Sequence, residues 1–294
     1  YIAVKDGKLS IDAESDGIQA ETLLYIENGD FKLATSGGDT KSDTSSAKAL
    51  KGASGIVILD GTFDIDSSDD AIHSNGILRI KGGTFDINSG DDGLHADESL
   101  SISGGEITIS RSYEGIEGGS IMVSGGIIDL TASDDGFNAA GGADNSANNG
   151  PRGNDMFSAD SSKSLVISGG TITVNAEGDG LDSNGTLAIS GGTIYVSGPT
   201  SSRDGALDSN GTMAISGGVV VAAGSAGMAQ TFDQSSAQVS LSYTFTTVQQ
   251  AGTTITLKDA SGNVIASYTP DKQFENVIIS APGLSSGQTS SLDI

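Results

Sequence analysis

The sequence predicts an all-β protein, a parallel β-helix with coils of about 22 residues and three short strands per coil. Glycines recur at a nearly fixed spacing, since Gly61, Gly83, Gly105 and Gly126 follow one another at steps of 22, 22 and 21 residues. The pattern resumes at positions 170, 192 and 218, and an earlier copy begins at position 29. A β-propeller blade needs about 40 residues, and a β-sandwich does not repeat its sequence register, so both fit less well.

The strands are predicted from the alternation of apolar and polar residues inside each copy. In one copy this alternation covers three segments, residues 78–80, 85–87 and 94–96, separated by Gly-Gly and Asp-Gly corners. Helical periodicity is nearly absent. One coil cannot bury its own inner face, but stacked coils bury a continuous column of Ile, Leu, Val and Phe.

Two segments interrupt the repeat. Residues 140–163 are rich in Asn, Gly and Ser and show no alternation, which indicates a loop that is either functional or disordered. From about residue 228 the strands become longer, with a Ser-Gly-Asn turn at 261–263. We therefore expect a β-helix over residues 1–227 and, over 228–294, an antiparallel element that covers an open end or a flank.

Composition limits the possible partners. The chain has 14 Lys and Arg against 38 Asp and Glu, a net charge of −24, which opposes binding to nucleic acid and to anionic membrane surfaces. The partners that remain possible are cations, neutral polymers, and anionic polymers that are reached through a bridging cation. No apolar run approaches the roughly 18 residues of a membrane span, so we expect no membrane insertion. The absence of Cys excludes a disulfide framework and a thiolate metal site.

Acidic residues recur at one corner of every predicted coil. Equivalent residues of successive coils stack about 4.8 Å apart, so they should form columns. The first column contains Asp70, Asp92, Glu114, Asp135, Asp179 and Asp204. The second contains His73, His95, Glu117, Asn138, Asp182 and Asp208. The third contains Asp69, Asp91, Tyr113, Asp134, Gly178 and Arg203.

These columns predict bound calcium. Solvated Asp-Gly turns alone would explain the first column, because Asp and Gly are turn residues. They explain a second acidic column poorly, since like charges held opposite one another are destabilising. Ca²⁺ accepts six to eight oxygens at about 2.3–2.6 Å and suits such a ladder better than Mg²⁺. We expect several ions, held by Asp69, Asp70, Asp91, Asp92, Glu114, Glu117, Asp134, Asp135, Asn138, Asp179, Asp182, Asp204 and Asp208.

Histidines and tyrosines are the predicted contacts for a carbohydrate. Leu94 and Ala96 should face the core, so His95 and its column should face outward, as hydrogen-bonded neighbours of the aspartates or as ligand contacts. A transition-metal site at His73 and His95 is a less favoured alternative. Tyr113 and Tyr195 are candidates for stacking on sugars. The chain has no Trp, which favours polar, cation-assisted recognition over an aromatic strip.

The motifs DDAIHSNG, GDDGLHAD, SYEGIEGG and SDDGFNAAGG, with their SGGT spacers, resemble a bacterial carbohydrate-binding domain family of right-handed parallel β-helices. That family is known from cellulolytic clostridia and is related to the family 9 polysaccharide (pectate) lyases. The resemblance implies a secreted or cell-surface protein that binds calcium and plant cell-wall polysaccharide, polygalacturonate (pectin) and cellulose in particular. In the lyases an Asp-Asp-Gly-x-Asp unit holds calcium, and Asp134, Asp135 and Asn138 match it, with Glu114 or Glu117 below.

Catalysis is the main alternative function. The related lyases use a basic residue to remove a proton next to a uronate carboxylate that calcium neutralises. Here the basic candidates are Lys163, Arg203 and Arg111, and none lies in a recognisable motif. The sequence therefore favours a non-catalytic, monomeric binding protein over a lyase. A surface adhesin or stalk stiffened by calcium is a third possibility.

Overall fold

A computed structural model describes residues 1–36, 46–140 and 159–294. Within these ranges it contains thirty β-strands and no helix. Strands of three parallel sheets, which we name A, B and C, follow one another in the order A, B, C, and each such triplet is one coil of a solenoid. The predicted parallel β-helix with three strands per coil is confirmed.

Each sheet collects the equivalent strand of successive coils. Sheet A consists of β1 (Ile2–Val4), β4 (Leu23–Ile26), β7 (Gly55–Ile58), β10 (Ile77–Ile80), β13 (Ser99–Ile102), β16 (Ser120–Val123), β19 (Ser164–Ile167), β22 (Thr186–Ile189) and β24 (Met213–Ile215). The parallel part of sheet B consists of β2 (Lys8–Ala13), β5 (Asp30–Thr35), β8 (Thr62–Ser67), β11 (Thr84–Ser89), β14 (Glu106–Arg111), β17 (Ile127–Ala132), β20 (Thr171–Ala176), β23 (Thr193–Ser197) and β25 (Val219–Gly224). Sheet C consists of β3 (Ile18–Ala20), β6 (Leu50–Gly52), β9 (Ile72–Ser74), β12 (Leu94–Ala96), β15 (Ile116–Gly118), β18 (Phe137–Ala139) and β21 (Leu181–Ser183).

The recurring glycine marks the turn from sheet A to sheet B. Gly83 and Gly105 have φ angles of 103° and 99°, a region that side chains other than glycine rarely adopt. A Cβ atom at Gly83 would also lie 2.9 Å from the carbonyl oxygen of Gly61 in the preceding coil. The positive φ recurs in every coil and the close approach in every coil after the first, which explains why glycine is the most regular feature of the sequence.

Apolar side chains of all three sheets fill the inside of the solenoid. Phe31, Phe63 and Phe85 stack in consecutive coils, with ring centroids 4.7 and 4.5 Å apart and nearly parallel planes. Columns of Ile, Leu and Val continue the packing along the axis, and almost all of them are buried. The alternation predicted from sequence is therefore the alternation of core-facing and outward-facing residues.

The C-terminal strands form the predicted antiparallel element. They are β26 (Ser240–Gln249), β27 (Ile255–Lys258), β28 (Val264–Tyr268), β29 (Phe274–Ser280) and β30 (Ser291–Asp293). β29 pairs with the last coil strand of sheet B and with β26, so it covers an edge that would otherwise be unpaired. The other three strands form a small sheet D, whose Leu257 packs with Val221 and Ile279 on the outer face of sheet B.

Most of the predicted loop at 140–163 lies outside the described residues. Its end is a tight turn, in which the Ser162 amide donates to Asp160 Oδ1 at 2.9 Å and the Lys163 amide to the Asp160 carbonyl at 3.0 Å. The described residues contain no helix long and apolar enough to cross a membrane.

Candidate functional site

The acidic columns lie at the corner where each coil turns from sheet B into sheet C. Strand register identifies the first column from the N-terminal end as Asp16, Lys48, Asp70, Asp92, Glu114, Asp135, Asp179 and Gly205. We call this column the acidic ladder. Its coils from Asp16 to Asp92 form the lower corner, and its coils from Glu114 to the last form the upper corner.

The position predicted for Asp204 in this ladder is wrong. Leu181 pairs with Leu207, and the Gly180 amide donates to the carbonyl of Gly205, so Gly205 is the residue that follows Asp179 in the ladder. Asp204 therefore belongs to the third column, above Gly178. The last corner turn is longer than the others, which shifts the register by one residue from the alignment of sequence motifs.

One carboxylate oxygen of each ladder aspartate has a structural role. Oδ1 of Asp70 accepts the Asp92 amide at 3.0 Å, and Oδ1 of Asp92 accepts the Glu114 amide at 3.3 Å. Asp135 and Asp179 repeat this with the next ladder residue at 2.6 and 2.5 Å. These bonds tie successive corners together. They require one oxygen only, so the second oxygen of each carboxylate remains for another partner.

In the lower corner the protein supplies its own cations. Lys48 is 3% exposed, and its ammonium lies 2.8 Å from Asp69 Oδ1 and 2.9 Å from Asp70 Oδ2. Lys51 lies 3.1 Å from Asp16 Oδ2. Sequence reasoning missed Lys48 and Asp16. The signal was available for Lys48, which precedes Asp70 by the repeat length of 22 residues.

The two histidines complete the lower corner. His73 and His95 stack with ring centroids 4.7 Å apart, and their Nδ1 atoms lie 2.7 Å from Asp70 Oδ2 and 2.9 Å from Asp92 Oδ2. Both point away from the apolar core and bond to the aspartates, as predicted. They are, however, 1% and 0% exposed, so the structure does not support the prediction that they contact a carbohydrate.

The pKa shifts of Asp70 and His95 reflect this compensation of buried charges by their neighbours. Burial acts to raise the pKa of Asp70, but the His73 hydrogen bond and the Lys48 charge outweigh it and hold that pKa below its usual range. Burial acts to lower the pKa of His95, but hydrogen bonds to Asp92 and Asp97 and the adjacent Glu117 carboxylate outweigh it and raise that pKa.

In the upper corner Asp135, Asp179 and Asp182 have no such partner among the described residues. Among the described residues, no Lys, Arg or His nitrogen lies within 4 Å of Asp135, Asp179 or Asp182. One oxygen each of Asp179, Asp182 and Asp208 lies within 4.8 Å of the others. Burial, followed by the Asp208 and Asp204 charges, raises the pKa of Asp179 to about 7, although the Gly205 amide opposes this. Burial and neighbouring carboxylates also raise the pKa of Asp135 and of Asp182.

Two further features of the upper corner fit a cation. The Oδ1 atom of Asn138 is buried and has no hydrogen-bond partner, while its Nδ2 donates to Glu114 Oε2 at 2.9 Å. A Cβ atom at Gly178 would lie 2.7 Å from Asp134 Oδ1 and in collision with Asp135 Oδ1, so two carboxylate oxygens converge on the space above this glycine. All of these donors are oxygens, which is the ligand set that Ca²⁺ prefers.

The residues predicted to stack on sugars or to act as a catalytic base do not lie together. Tyr113 is half-buried and bonds to Asp134, and burial followed by this bond raises its pKa. Tyr195 lies on the outer face of sheet B, where its ring stacks on Tyr268 at 4.8 Å. Lys163 lies at the turn from sheet C to sheet A, beside Gly185.

The two arginines considered as catalytic bases are also apart from one another. Arg203 is exposed in the last corner turn, and Arg111 is exposed at the end of β14. The described structure therefore holds no basic side chain against the uncompensated carboxylates of the upper corner.

The fold and this corner define a parallel β-solenoid with an oxygen-rich edge that is neutralised at one end and uncompensated at the other. A family described as carbohydrate-binding domain-containing proteins matches residues 1–93 and 152–293, most of the chain. The chain belongs to this family. The comparisons with curated proteins and with solved structures found no match.

Proposed function

We propose that the protein is a non-catalytic, calcium-dependent binder of acidic plant cell-wall polysaccharide, polygalacturonate above all, and that it works outside the cell. Membership of the carbohydrate-binding family supports a carbohydrate ligand, and one structural observation supports the rest of the proposal. Asp179, Asp182 and Asp208 converge, and neither they nor the neighbouring Asp135 have a cationic partner among the described residues, whereas Lys48 neutralises the equivalent corner below.

Calcium fits this cluster because of the number and kind of its donors. Asp134, Asp135, Asn138, Asp179, Asp182 and Asp208 would hold it. The carboxylates come from neighbouring coils, and those of Asp135 and Asp179 each have one oxygen already fixed by an amide. Ca²⁺ tolerates an irregular arrangement of such oxygens better than Mg²⁺, which demands near-ideal octahedral geometry. The ion would supply positive charge to the corner and coordination positions for a ligand from outside.

Access favours the upper corner over the lower as the place where a polymer binds. Asp134, Asp135, Asp179 and Asp182 are half-buried, so an ion between them can be reached from solvent. Asp92 is fully buried, and Asp91, Glu114 and Glu117 are at most 5% exposed. We therefore assign the bridging role to the coils that carry Asp135 and Asp179, and we give the buried acids a supporting role.

The need for a calcium bridge to an acidic polymer follows from the charge of the chain. With a net charge of −24, direct contact with a polyanion is repulsive, and salt screens this repulsion without producing attraction. A calcium ion whose protein ligands leave one or two positions open accepts a uronate carboxylate.

Calorimetry with polygalacturonate, in calcium and in EDTA, tests the proposal. Binding should require calcium, and Asp135→Asn should weaken binding of both calcium and polymer, because it removes a ligand charge without changing shape. Asp64→Asn is the matched control, since Asp64 is an exposed acid on sheet B that pairs with Lys32. Polymer binding that survives EDTA, or an Asp135→Asn protein that binds normally, would show that calcium does not form the bridge.

The same samples distinguish binding from lyase activity. Lyase cleavage leaves an unsaturated uronide that absorbs in the ultraviolet, and we expect no such product. Product that disappears in Lys163→Ala or Arg203→Ala would identify a catalytic base and replace the binding proposal with a lyase.

A further inference from the structure

We propose that the chain has a second kind of metal site, a transition-metal site for Zn²⁺ formed by Asp92, His95 and Glu117. It lies where the lower and upper corners meet, and it differs in chemistry from the calcium cluster. His95 Nδ1 lies 2.9 Å from Asp92 Oδ2 and 2.9 Å from Glu117 Oε2. One nitrogen and two carboxylate oxygens thus lie within 4.8 Å of one another, and zinc accepts both kinds of donor.

An unsatisfied oxygen supports a metal at this point. Glu117 is 5% exposed, and its Oε2 makes no hydrogen bond despite the 2.9 Å separation from His95 Nδ1. The proton on Nδ1 points toward Asp92, and a single N–H serves only one of two acceptors well. A metal ion in place of that proton would bind all three atoms at once, which removes the cost of the buried, unpaired carboxylate oxygen.

The other side of the His95 ring is also arranged as in zinc sites. Nε2 lies 3.0 Å from Asp97 Oδ1, and the Asn75 amide donates to Asp97 Oδ2 at 3.2 Å. A carboxylate that accepts the second ring N–H of a metal-bound histidine fixes its orientation and raises its basicity. With Nε2 protonated toward Asp97, the Nδ1 lone pair is the atom that faces the two carboxylates.

His73 shows what the same position looks like without these features. Its Nδ1 also bonds to an aspartate three residues earlier, but its Nε2 accepts from the Asn75 amide at 3.2 Å instead of facing a carboxylate. Its neighbours in the column are Lys51 and His95, so no second carboxylate joins it. His73 is therefore the internal control for the proposed site.

Size selects zinc over calcium here. Zinc bonds of about 2.0–2.2 Å place tetrahedral ligand atoms about 3.3 Å apart, so the pairs at 2.9 Å need to open by only a few tenths of an ångström. Calcium needs six to eight oxygens at about 2.3–2.6 Å, and this buried pocket offers a nitrogen. Zinc with three protein ligands commonly takes water as the fourth. Binding would release the Nδ1 proton to solvent.

The test is a titration of the calcium-loaded protein with Zn²⁺, and with Co²⁺ as its coloured substitute. We expect one equivalent of Zn²⁺ to bind in the presence of excess calcium and Co²⁺ to give the absorbance of a site with nitrogen and oxygen ligands. Both signals should be lost in His95→Gln and in Glu117→Gln, and both should persist in His73→Gln. Asp97→Asn should weaken zinc binding about 10- to 100-fold, as for other partners of metal-bound histidines.

Nuclear magnetic resonance of the unmodified protein makes the test independent of variant folding. The chain has only two histidines, so both rings are resolvable after ¹⁵N labelling. Zinc should shift the Nδ1 resonance of His95 and leave the Nδ1–H of His73 in place. No zinc-dependent shift at His95, or zinc binding that His95→Gln leaves unchanged, would overturn the proposal and identify the proton as the resident cation of that ring.

Discussion

Lys48→Met tests whether the lower corner is stable because it carries its own cation. The substitution keeps an unbranched side chain that is one atom shorter, and it removes the charge. Lys48 is 4% exposed in its side chain, Asp70 is 0% and Asp69 is 14%, so the variant removes the lysine from two largely buried carboxylates and leaves Asp70 with His73 alone. Removal of one member of a buried ion pair costs about 3–5 kcal/mol of the free energy of unfolding.

Calcium should reverse part of this loss. One oxygen each of Asp69, Asp70 and Asp91 lies within 4.8 Å of the others, which matches the span of oxygens around a Ca²⁺ ion with bonds of about 2.3–2.6 Å. In Lys48→Met this group would resemble the upper corner, so the variant should gain a calcium dependence at a corner where the parent protein needs none.

Urea denaturation in EDTA and in millimolar calcium measures both effects. Lys8→Met is the matched control, because Lys8 pairs with Asp30 at 2.7 Å with its side chain 86% exposed, and it should not shift the midpoint measurably. A loss below about 1 kcal/mol for Lys48→Met in EDTA, or a loss that calcium does not reduce, would refute the view that lysine and calcium play equivalent roles at successive corners.

Three further predictions follow from the core and the upper corner. In EDTA, unfolding should occur at a higher temperature at pH 5.5 than at pH 8. The folded state raises the pKa of Asp135, of Asp182 and of Asp179 (to about 7), so it binds more protons than the unfolded state at pH 5.5. This stabilisation is lost as the pH rises through the folded-state pKa values. Saturating calcium should reduce that difference, and a midpoint that increases from pH 5.5 to pH 8 in EDTA would contradict it. Gly178→Ala should weaken calcium binding in calorimetry, because its Cβ would lie 2.7 Å from Asp134 Oδ1, and unchanged affinity would remove Gly178 from the site. Phe63→Ala should cost about 3–5 kcal/mol in urea denaturation, because its ring is buried between Phe31 and Phe85, and a cost below about 1 kcal/mol would show that the stack contributes little.

The coils and the existence of an acidic corner could be predicted from the sequence because both are set by local rules that repeat. Alternation determines which residues of each strand face the core, and the turn at Gly83 and its equivalents demands glycine for reasons of backbone geometry. Once the period is known, stacking places equivalent residues one strand spacing apart. The ladder of Asp70, Asp92 and Glu114 follows from this arithmetic alone.

The tertiary structure alone decided which carboxylates are compensated. Alternation gives the direction of a side chain but not its depth, so the burial of His73 and His95 among the turn aspartates was not visible in the sequence. Register across irregular turns also depends on pairing, which is why Gly205 and not Asp204 continues the ladder. Whether a carboxylate is neutralised depends on contacts of a few ångströms between coils, such as the contact of Lys48 with Asp70, and folding of the coils against one another determines those distances.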